Sequence, residues 1–125
     1  METRKTVKLL CSSQLGLVLV IAALLAGCKS PDIYYWGNYE KVIYGMYAHP
    51  DKVPPEAQIA KLEQDEHKAI SANKPLPPGF RAQLGYAYYE VGKLDLAQRE
   101  FEAEKAAFPE SAIFMDRLLG NLAKK

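Results

Sequence analysis

Residues 80–108 carry the pattern that most restricts the fold, because two apolar stripes recur there at the spacing of helical turns. The first stripe predicts a helix that stops at Gly92. The second predicts a helix that Asp95 caps and Pro109 ends. The predicted inward residues are Phe80, Leu84, Ala87, Tyr88 and Val91 on the first helix, and Ala97, Phe101 and Phe108 on the second.

Two further helices are predicted before this pair. Asn38 is expected to cap the first, which stops before Pro50, and the second runs from Pro55 to about residue 72. The expected inward residues are Tyr39, Val42, Ile43, Met46 and Tyr47, then Ile59, Leu62, Ala69 and either Ile70 or Ala72. The expected outer residues of the second helix are Glu63, Gln64, Asp65, Glu66 and Lys68.

A last helix is predicted to open at Ser111. Its apolar face is expected to hold Phe114, Leu118, Leu119 and Leu122. No segment after the first 30 residues alternates with period two, so we expect an all-α fold of about five helices.

Residues 84–109 resemble a tetratricopeptide repeat, a pair of antiparallel helices in a repeat of about 34 residues. Gly85 and Ala97 are small where such helices cross, and Tyr88 and Phe101 would fill the space around them. The residues that match the signature of the repeat are Leu84, Gly85, Tyr88, Ala97, Phe101 and Pro109.

Two residues depart from this repeat: Arg81 stands where Trp is frequent, and Glu104 stands where a small residue is usual. A plain helical hairpin with coincidental residues is the alternative. One repeat does not bury its apolar face alone, so residues 39–75 are expected to form a degenerate partner hairpin and residues 113–123 a C-terminal capping helix.

The first 28 residues indicate export. Three basic residues precede an uncharged run over residues 15–27, which is shorter than the roughly 20 apolar residues of a membrane-spanning helix. The run ends in Leu-Ala-Gly-Cys, with Gly27 and Cys28 as its last two residues, and this resembles the lipobox of bacterial lipoproteins. The resemblance implies cleavage between Gly27 and Cys28, acylation of Cys28 and a lipid bilayer as its partner. An uncleaved signal anchor is the alternative.

The expected organisation is a signal peptide over residues 1–27, a lipidated tether with an aromatic segment over residues 28–37, and a helical domain over residues 38–125. Lys29 replaces the Asp that retains such lipoproteins in the inner membrane, which implies the outer membrane, facing the periplasm. The net charge of the whole chain is only +1. Nucleic acids attract strongly basic surfaces, so we expect none as a partner.

Catalytic signatures are missing from the sequence. It holds no His-Glu-x-x-His, no phosphate-binding loop and no Gly-x-Ser-x-Gly. Glu63 and His67 share a helix face and, with His49 or Asp51, are the weak candidate for zinc, although a solvated face is the simpler interpretation. Glu100, Glu102 and Glu104 are expected not to converge. We therefore expect no enzyme, no cofactor and no metal.

The candidate partner-binding residues are Arg81, Tyr86 and Tyr89. Tyr86 and Tyr89 flank the inward Tyr88, so they are expected on other faces of the helix. In tetratricopeptide arrays the first helices line the ligand-binding side, and Tyr and Arg are frequent binding anchors. The alternative is that these side chains cover neighbouring helices.

Taken together, the lipobox, the aromatic residues 33–39 and the helical hairpin are similar to a family of small bacterial lipoproteins known as a domain of unknown function. Members of that family often occur beside lipoproteins similar to the curli-secretion channel. The resemblance implies a non-catalytic adaptor or accessory subunit of an envelope or secretion assembly, with another envelope protein as partner. The alternatives are a regulator that activates a peptidoglycan synthase and, ranked below it, a metal-dependent enzyme.

Overall fold

Prolines and glycines divide residues 32–124 into five helices, as the sequence predicts. The structure, a computed structural model, describes residues 32–124. The helices are α1 Tyr39–Ala48, α2 Pro55–Ser71, α3 Phe80–Glu90, α4 Leu94–Ala107 and α5 Ala112–Leu122. Single 3₁₀ turns, Pro50–Lys52 and Pro109–Ser111, precede α2 and α5. No strand occurs between residues 32 and 124, so the prediction of an all-α fold with about five helices is confirmed.

The breaks between helices follow from backbone chemistry. Pro55 occupies the first position of α2, where its missing N–H would have no helical partner. After α3 the chain turns at Gly92, whose φ of +77° suits glycine. The N–H of Gly92 donates to the carbonyl of Tyr89 at 3.1 Å, and the N–H of Lys93 donates to that of Tyr88 at 2.9 Å. The turn thereby satisfies two carbonyls at the end of α3.

The two residues predicted to cap helices, Asn38 and Asp95, do not do so, and Ser111, which was predicted to open the last helix, makes no cap bond either. Asn38 and Ser111 precede α1 and α5, but both have helical backbone angles and neither makes a side-chain cap bond. A capping side chain reaches the free N–H groups from an extended backbone, so these angles explain the error. Asp95 lies within α4, which begins one residue earlier at Leu94.

The helices form two hairpins and a final helix. Residues 91–93 join α3 to α4, and this pair has the most extensive contact in the described chain. The pair is antiparallel, because Gly79 at the start of α3 meets Glu104 near the end of α4. Residues 49–54 join α1 to α2, α2 packs on α3, and α5 packs on α4.

The core lies between the helices, and α3 contributes more of its residues than any other helix. The α3 stripe is buried as predicted, with Val91 partly so. Complete burial of one large apolar side chain contributes about 1.5–3 kcal/mol, so a domain of this size is stabilised by a short list of residues. That list is Val42, Ile59, Leu62, Phe80, Leu84, Ala87, Tyr88, Ala97, Phe101 and Met115.

The closest approach of α3 and α4 occurs at Gly85. A Cβ there would lie 2.7 Å from the ring of Phe101 and 3.2 Å from the carbonyl oxygen of Ala97. Leu84 and Tyr88 are buried on either side of this contact. The structure therefore brings together five of the six residues that match the repeat, while Pro109 begins the turn that follows α4.

Three predicted inward residues are exposed. Tyr47 is 85% exposed because α1 turns Val42, Gly45 and Met46 inward, and the next residue lies about 100° further round a helix. Phe114 is exposed for the same reason, since Met115 takes the buried position on α5. Ile70 is exposed as well, and so is its alternative, Ala72.

Within residues 32–124, none of the helices combines the length and the apolar character needed to cross a bilayer.

Candidate functional site

A groove of about 510 Å³ opens beside the N-terminal segment, residues 33–37. This segment is held in place by the N–H of Tyr35, which donates to the carbonyl of Pro75 at 2.8 Å. Tyr34 packs its ring against Phe108 and Trp36 stacks on Tyr39. The lining is mainly apolar but includes four charged residues: Ile33, Tyr34, Glu66, Ala69, Ile70, Lys74, Pro75, Leu76, Pro77, Arg81, Glu104, Ala107 and Phe108.

Arg81 is one of these charged residues, and its ion pairs link α3 to α2 and to α4. Its Nη1 lies 2.9 Å from a carboxylate oxygen of Glu66 on α2 and 2.8 Å from one of Glu100 on α4. Glu100 is buried, and its other oxygen accepts a hydrogen bond from Arg99. The guanidinium group thus lies between two carboxylates. Arg81, which stands where the repeat frequently has Trp, therefore has a structural role in joining the helices.

Glu104, the other residue that departs from the repeat signature, accepts hydrogen bonds from backbone N–H groups at the start of α3. Its Oε1 accepts a hydrogen bond from the N–H of Gly79 at 2.6 Å, and its Oε2 accepts one from the N–H of Arg81 at 3.2 Å. These N–H groups have no acceptor within the helix, and the negative charge also suits a helix N-terminus. Glu100 and Glu104 therefore converge on Arg81, and the expectation that these carboxylates stay apart is wrong for this pair.

Asp65 likewise accepts hydrogen bonds from the residue that precedes α1. It was expected on the outside of α2, but it is fully buried. Its Oδ2 accepts from the N–H of Asn38 at 2.5 Å and its Oδ1 accepts from the Asn38 side-chain amide at 3.0 Å. Asn38 is therefore the donor in this contact, not the cap that the sequence predicts.

The spacing along each helix could have revealed these buried carboxylates. Asp65 lies three residues after the buried Leu62 and four before the buried Ala69, so it belongs to the same stripe. Glu104 follows the buried Phe101 by three residues. Residue type alone favours the outside for a carboxylate, which is why Asp65 was predicted there although its spacing places it in the buried stripe.

Tyr86 and Tyr89 lie on a second surface. Their ring centroids are 6.2 Å apart, and Tyr86 is 40% exposed. The pair borders a small pocket of about 90 Å³ whose other lining residues are Phe101, Leu118, Asn121 and Leu122. Arg81, the third candidate, lies in the groove instead, so the structure brings together two of the three predicted residues. Gln83 bonds to Gln58 at 2.9 Å and so serves the α2–α3 contact.

Glu63 and His67 are both exposed on α2. Glu63 accepts a hydrogen bond from the hydroxyl of Tyr88 at 2.5 Å. Between residues 32 and 124 no three His, Cys, Asp or Glu side chains are grouped so that they could hold a metal ion. The geometry offers zinc no set of ligands at this pair.

The pKa values of one buried and one partly buried tyrosine, Tyr88 and Tyr39, are raised. Burial raises the pKa of Tyr88, and the hydrogen bond to Glu63 raises it further. Burial raises the pKa of Tyr39 too, with the charge of Glu104 adding to the effect. Both hydroxyls remain protonated at neutral pH, and that of Tyr88 donates to Glu63.

The predicted cleavage and lipidation site, Gly27 and Cys28, lies outside the described residues.

A family model described as Domain of unknown function (DUF4810) matches residues 33–118. The matched range spans more than half of the chain and holds the N-terminal segment, the groove, the tyrosine pair and most of α5. No curated protein and no solved structure is significantly similar to the chain. The extent of the family match is sufficient to place the protein, and the chain belongs to the DUF4810 family.

Proposed function

We propose that the protein is a lipid-anchored, non-catalytic adaptor that binds another envelope protein at the periplasmic face of the bacterial outer membrane. The observation that carries this proposal is the Tyr86–Tyr89 pair beside a small, mainly apolar pocket. Tyrosines are among the most frequent anchors of protein interfaces, since each supplies a large apolar ring and a hydroxyl.

The helix that presents this pair is held rigidly. Arg81 links α3 to both α2 and α4, and Glu104 fixes its first turn. A binding surface on a packed helix loses little conformational freedom when a partner arrives, so more of the contact energy remains as affinity.

A non-catalytic role agrees with how the acidic groups are used. Asp65, Glu100 and Glu104 accept hydrogen bonds from named backbone or side-chain donors. In the described part of the chain, no buried side-chain nitrogen or oxygen lacks a hydrogen-bond partner. Buried groups that act in catalysis often show unusual or incomplete bonding, and these support the fold instead.

Anchoring supplies the mechanism of the adaptor. A lipid on Cys28 would confine the domain to a thin layer, which raises its effective concentration for a partner in the same membrane. The sequence before Cys28 and the tetratricopeptide-like pattern of α3 and α4 support this proposal, since such hairpins frequently carry protein ligands.

The proposal is tested by crosslinking in intact cells, followed by capture through a C-terminal tag. The variant Tyr86→Ala/Tyr89→Ala should lose the captured partner. The matched control is Tyr44→Ala/Tyr47→Ala, an exposed pair on α1 with the same spacing of three residues. Cys28→Ser should lower capture although the domain stays folded.

Capture that is equal in all variants would contradict the adaptor surface. If the captured partner is a cell-wall synthase, its activity with and without the domain separates a regulator from a passive adaptor.

A further inference from the structure

Exposed apolar side chains concentrate at one end of the helical domain. Of the eight large hydrophobic residues that are exposed in the described chain, five belong to this end, which we call the apolar end. Their exposed fractions reach 73% at Ile33 and 81% at Ile113. Exposed apolar clusters on small domains usually mark a contact surface. The five residues are Ile33, Trp36, Ile70, Ile113 and Phe114.

The topology explains why these residues share one end. Ile33 and Ile70 both line the groove, and so does Phe108, which follows α4. Only a single 3₁₀ turn separates Phe108 from α5, whose first residues include Ile113 and Phe114. Because α5 runs back along α4, with Lys105 bonded to Asp116, the start of α5 lies at the same end as Phe108.

The described chain begins at this same end. Ile33 follows Cys28 by five residues, which span at most about 18 Å when fully extended. A domain of this size has a radius of gyration of about 12 Å, and hence a width that exceeds the tether. A lipid on Cys28 would therefore keep the apolar end close to the bilayer surface.

We propose that the apolar end rests in the headgroup layer of the membrane. This inference rests on the proposed lipid anchor at Cys28. Tryptophan favours the interface between headgroups and hydrocarbon, and Trp36 is the only tryptophan of the chain. Lys74, which lines the groove, supplies a cation for lipid phosphates at the same end.

Docking gives the domain one orientation on the membrane. Tyr86 and Tyr89 lie in the second half of α3. The first turn of α3, where the N–H of Gly79 donates to Glu104 beside the groove, is at the other end of the helix. The tyrosine pair therefore stays accessible from the periplasm when the apolar end is docked.

The test places one tryptophan at a chosen site and measures its quenching by brominated lipid. The acylated full-length protein, in a Trp36→Phe background, carries either Phe114→Trp at the apolar end or Tyr47→Trp near the end of α1. Both sites are exposed in the native protein, so the fold should tolerate either change. The vesicles contain phosphatidylethanolamine and phosphatidylglycerol with brominated phosphatidylcholine, and flotation measures anchoring independently.

Docking predicts several-fold stronger quenching with Phe114→Trp, even though position 114 is far more distant from Cys28 along the sequence than position 47. Equal quenching of the two proteins on floated vesicles would overturn the docked orientation and leave the anchor intact. Failure of the acylated protein to float would overturn the anchor, and with it this inference.

Discussion

In the α1–α2 hairpin, Asp65 of the second helix accepts hydrogen bonds from Asn38 at the start of the first. In the α3–α4 hairpin, Glu104 of the second helix accepts them from Gly79 and Arg81 at the start of the first. The two hairpins thus begin in the same way, although their sequences show no repeated signature. They differ in packing, since only α3 and α4 meet through a glycine pressed against a buried aromatic ring. The comparison indicates that polar caps set the architecture and apolar packing sets the strength of each hairpin.

The largest effect should come from the close contact of the α3–α4 hairpin. Phe101→Ala is expected to lower the free energy of unfolding by about 3–5 kcal/mol, because it leaves a cavity against Gly85. The exposed Tyr44→Ala on α1 should change it by less than about 0.5 kcal/mol. Urea denaturation measures both. Similar losses for the two variants would contradict the difference in packing.

Removing the carboxylate acceptor at the start of either hairpin should lower the free energy of unfolding by a smaller amount, similar in the two hairpins. Glu104→Gln and Asp65→Asn are each expected to destabilise the domain by about 1–3 kcal/mol, because the new amide nitrogen cannot accept from the buried donor that it faces. Hydrogen exchange should quicken at Gly79 and Arg81 in the first variant and at Asn38 in the second. The exposed Glu102→Gln on α4 serves as the control. A loss confined to one of the two caps would show that the hairpins do not begin alike.

The two helical glycines test how closely each hairpin packs. A Cβ at Gly85 meets the buried ring of Phe101 on a packed helix, whereas one at Gly45 meets a methyl group of the partly exposed Val53, whose loop before α2 can shift to relieve the contact. Overpacking costs about 1–3 kcal/mol and alanine in a helix returns about 0.5–1, so Gly85→Ala should lose about 1 kcal/mol. Gly45→Ala should be neutral or stabilising. Thermal denaturation of the two variants gives the comparison directly.

The smallest effect concerns the bond between the hairpins, from Tyr88 on α3 to Glu63 on α2. Near neutral pH, Tyr88→Phe should cost less than about 1 kcal/mol, since Glu63 is exposed to water.

At alkaline pH the order should change. The pKa of Tyr88 is higher in the folded chain than the value of about 10 in the unfolded chain, so its stabilisation is complete below pH 10 and is lost as the pH rises above it. Nearby Arg99 opposes the shift but does not cancel it. Urea denaturation near pH 7 and at about pH 11 should therefore show a smaller alkaline loss in Tyr88→Phe than in the native chain. An equal alkaline loss would assign the effect to other residues.

Helix positions followed from the sequence because prolines, glycines and apolar spacing act locally. The stripe from Phe80 to Val91 predicted the inner face of α3, and Pro50 and Gly92 predicted the ends of α1 and α3. The buried positions of Asp65 and Glu104 were missed although their spacing fits the buried stripes, since the donor that compensates each carboxylate lies more than 20 residues away. Residue type alone favours water for a carboxylate, and only the tertiary partner reverses that preference.

Of the candidate site, the sequence predicted the tyrosine pair but placed Arg81 with it. Tyr86 and Tyr89 meet because residues three apart share a helix face. Arg81 turns instead to Glu66 and Glu100, which become its neighbours only after three helices have packed. The groove was not predicted at all, because its walls come from four separate parts of the chain.

The position of the two buried carboxylates also determines how the chain can come apart. The acceptor for Asn38 lies 27 residues downstream, and the acceptor for Gly79 lies 25 residues downstream. The first N–H groups of α1 and α3 thus find their protein acceptor only when the partner helix is in place, so we expect the hairpin, not the single helix, to be the smallest cooperative unit. Partial opening should accordingly release α1 with α2, or α3 with α4, as cooperative units.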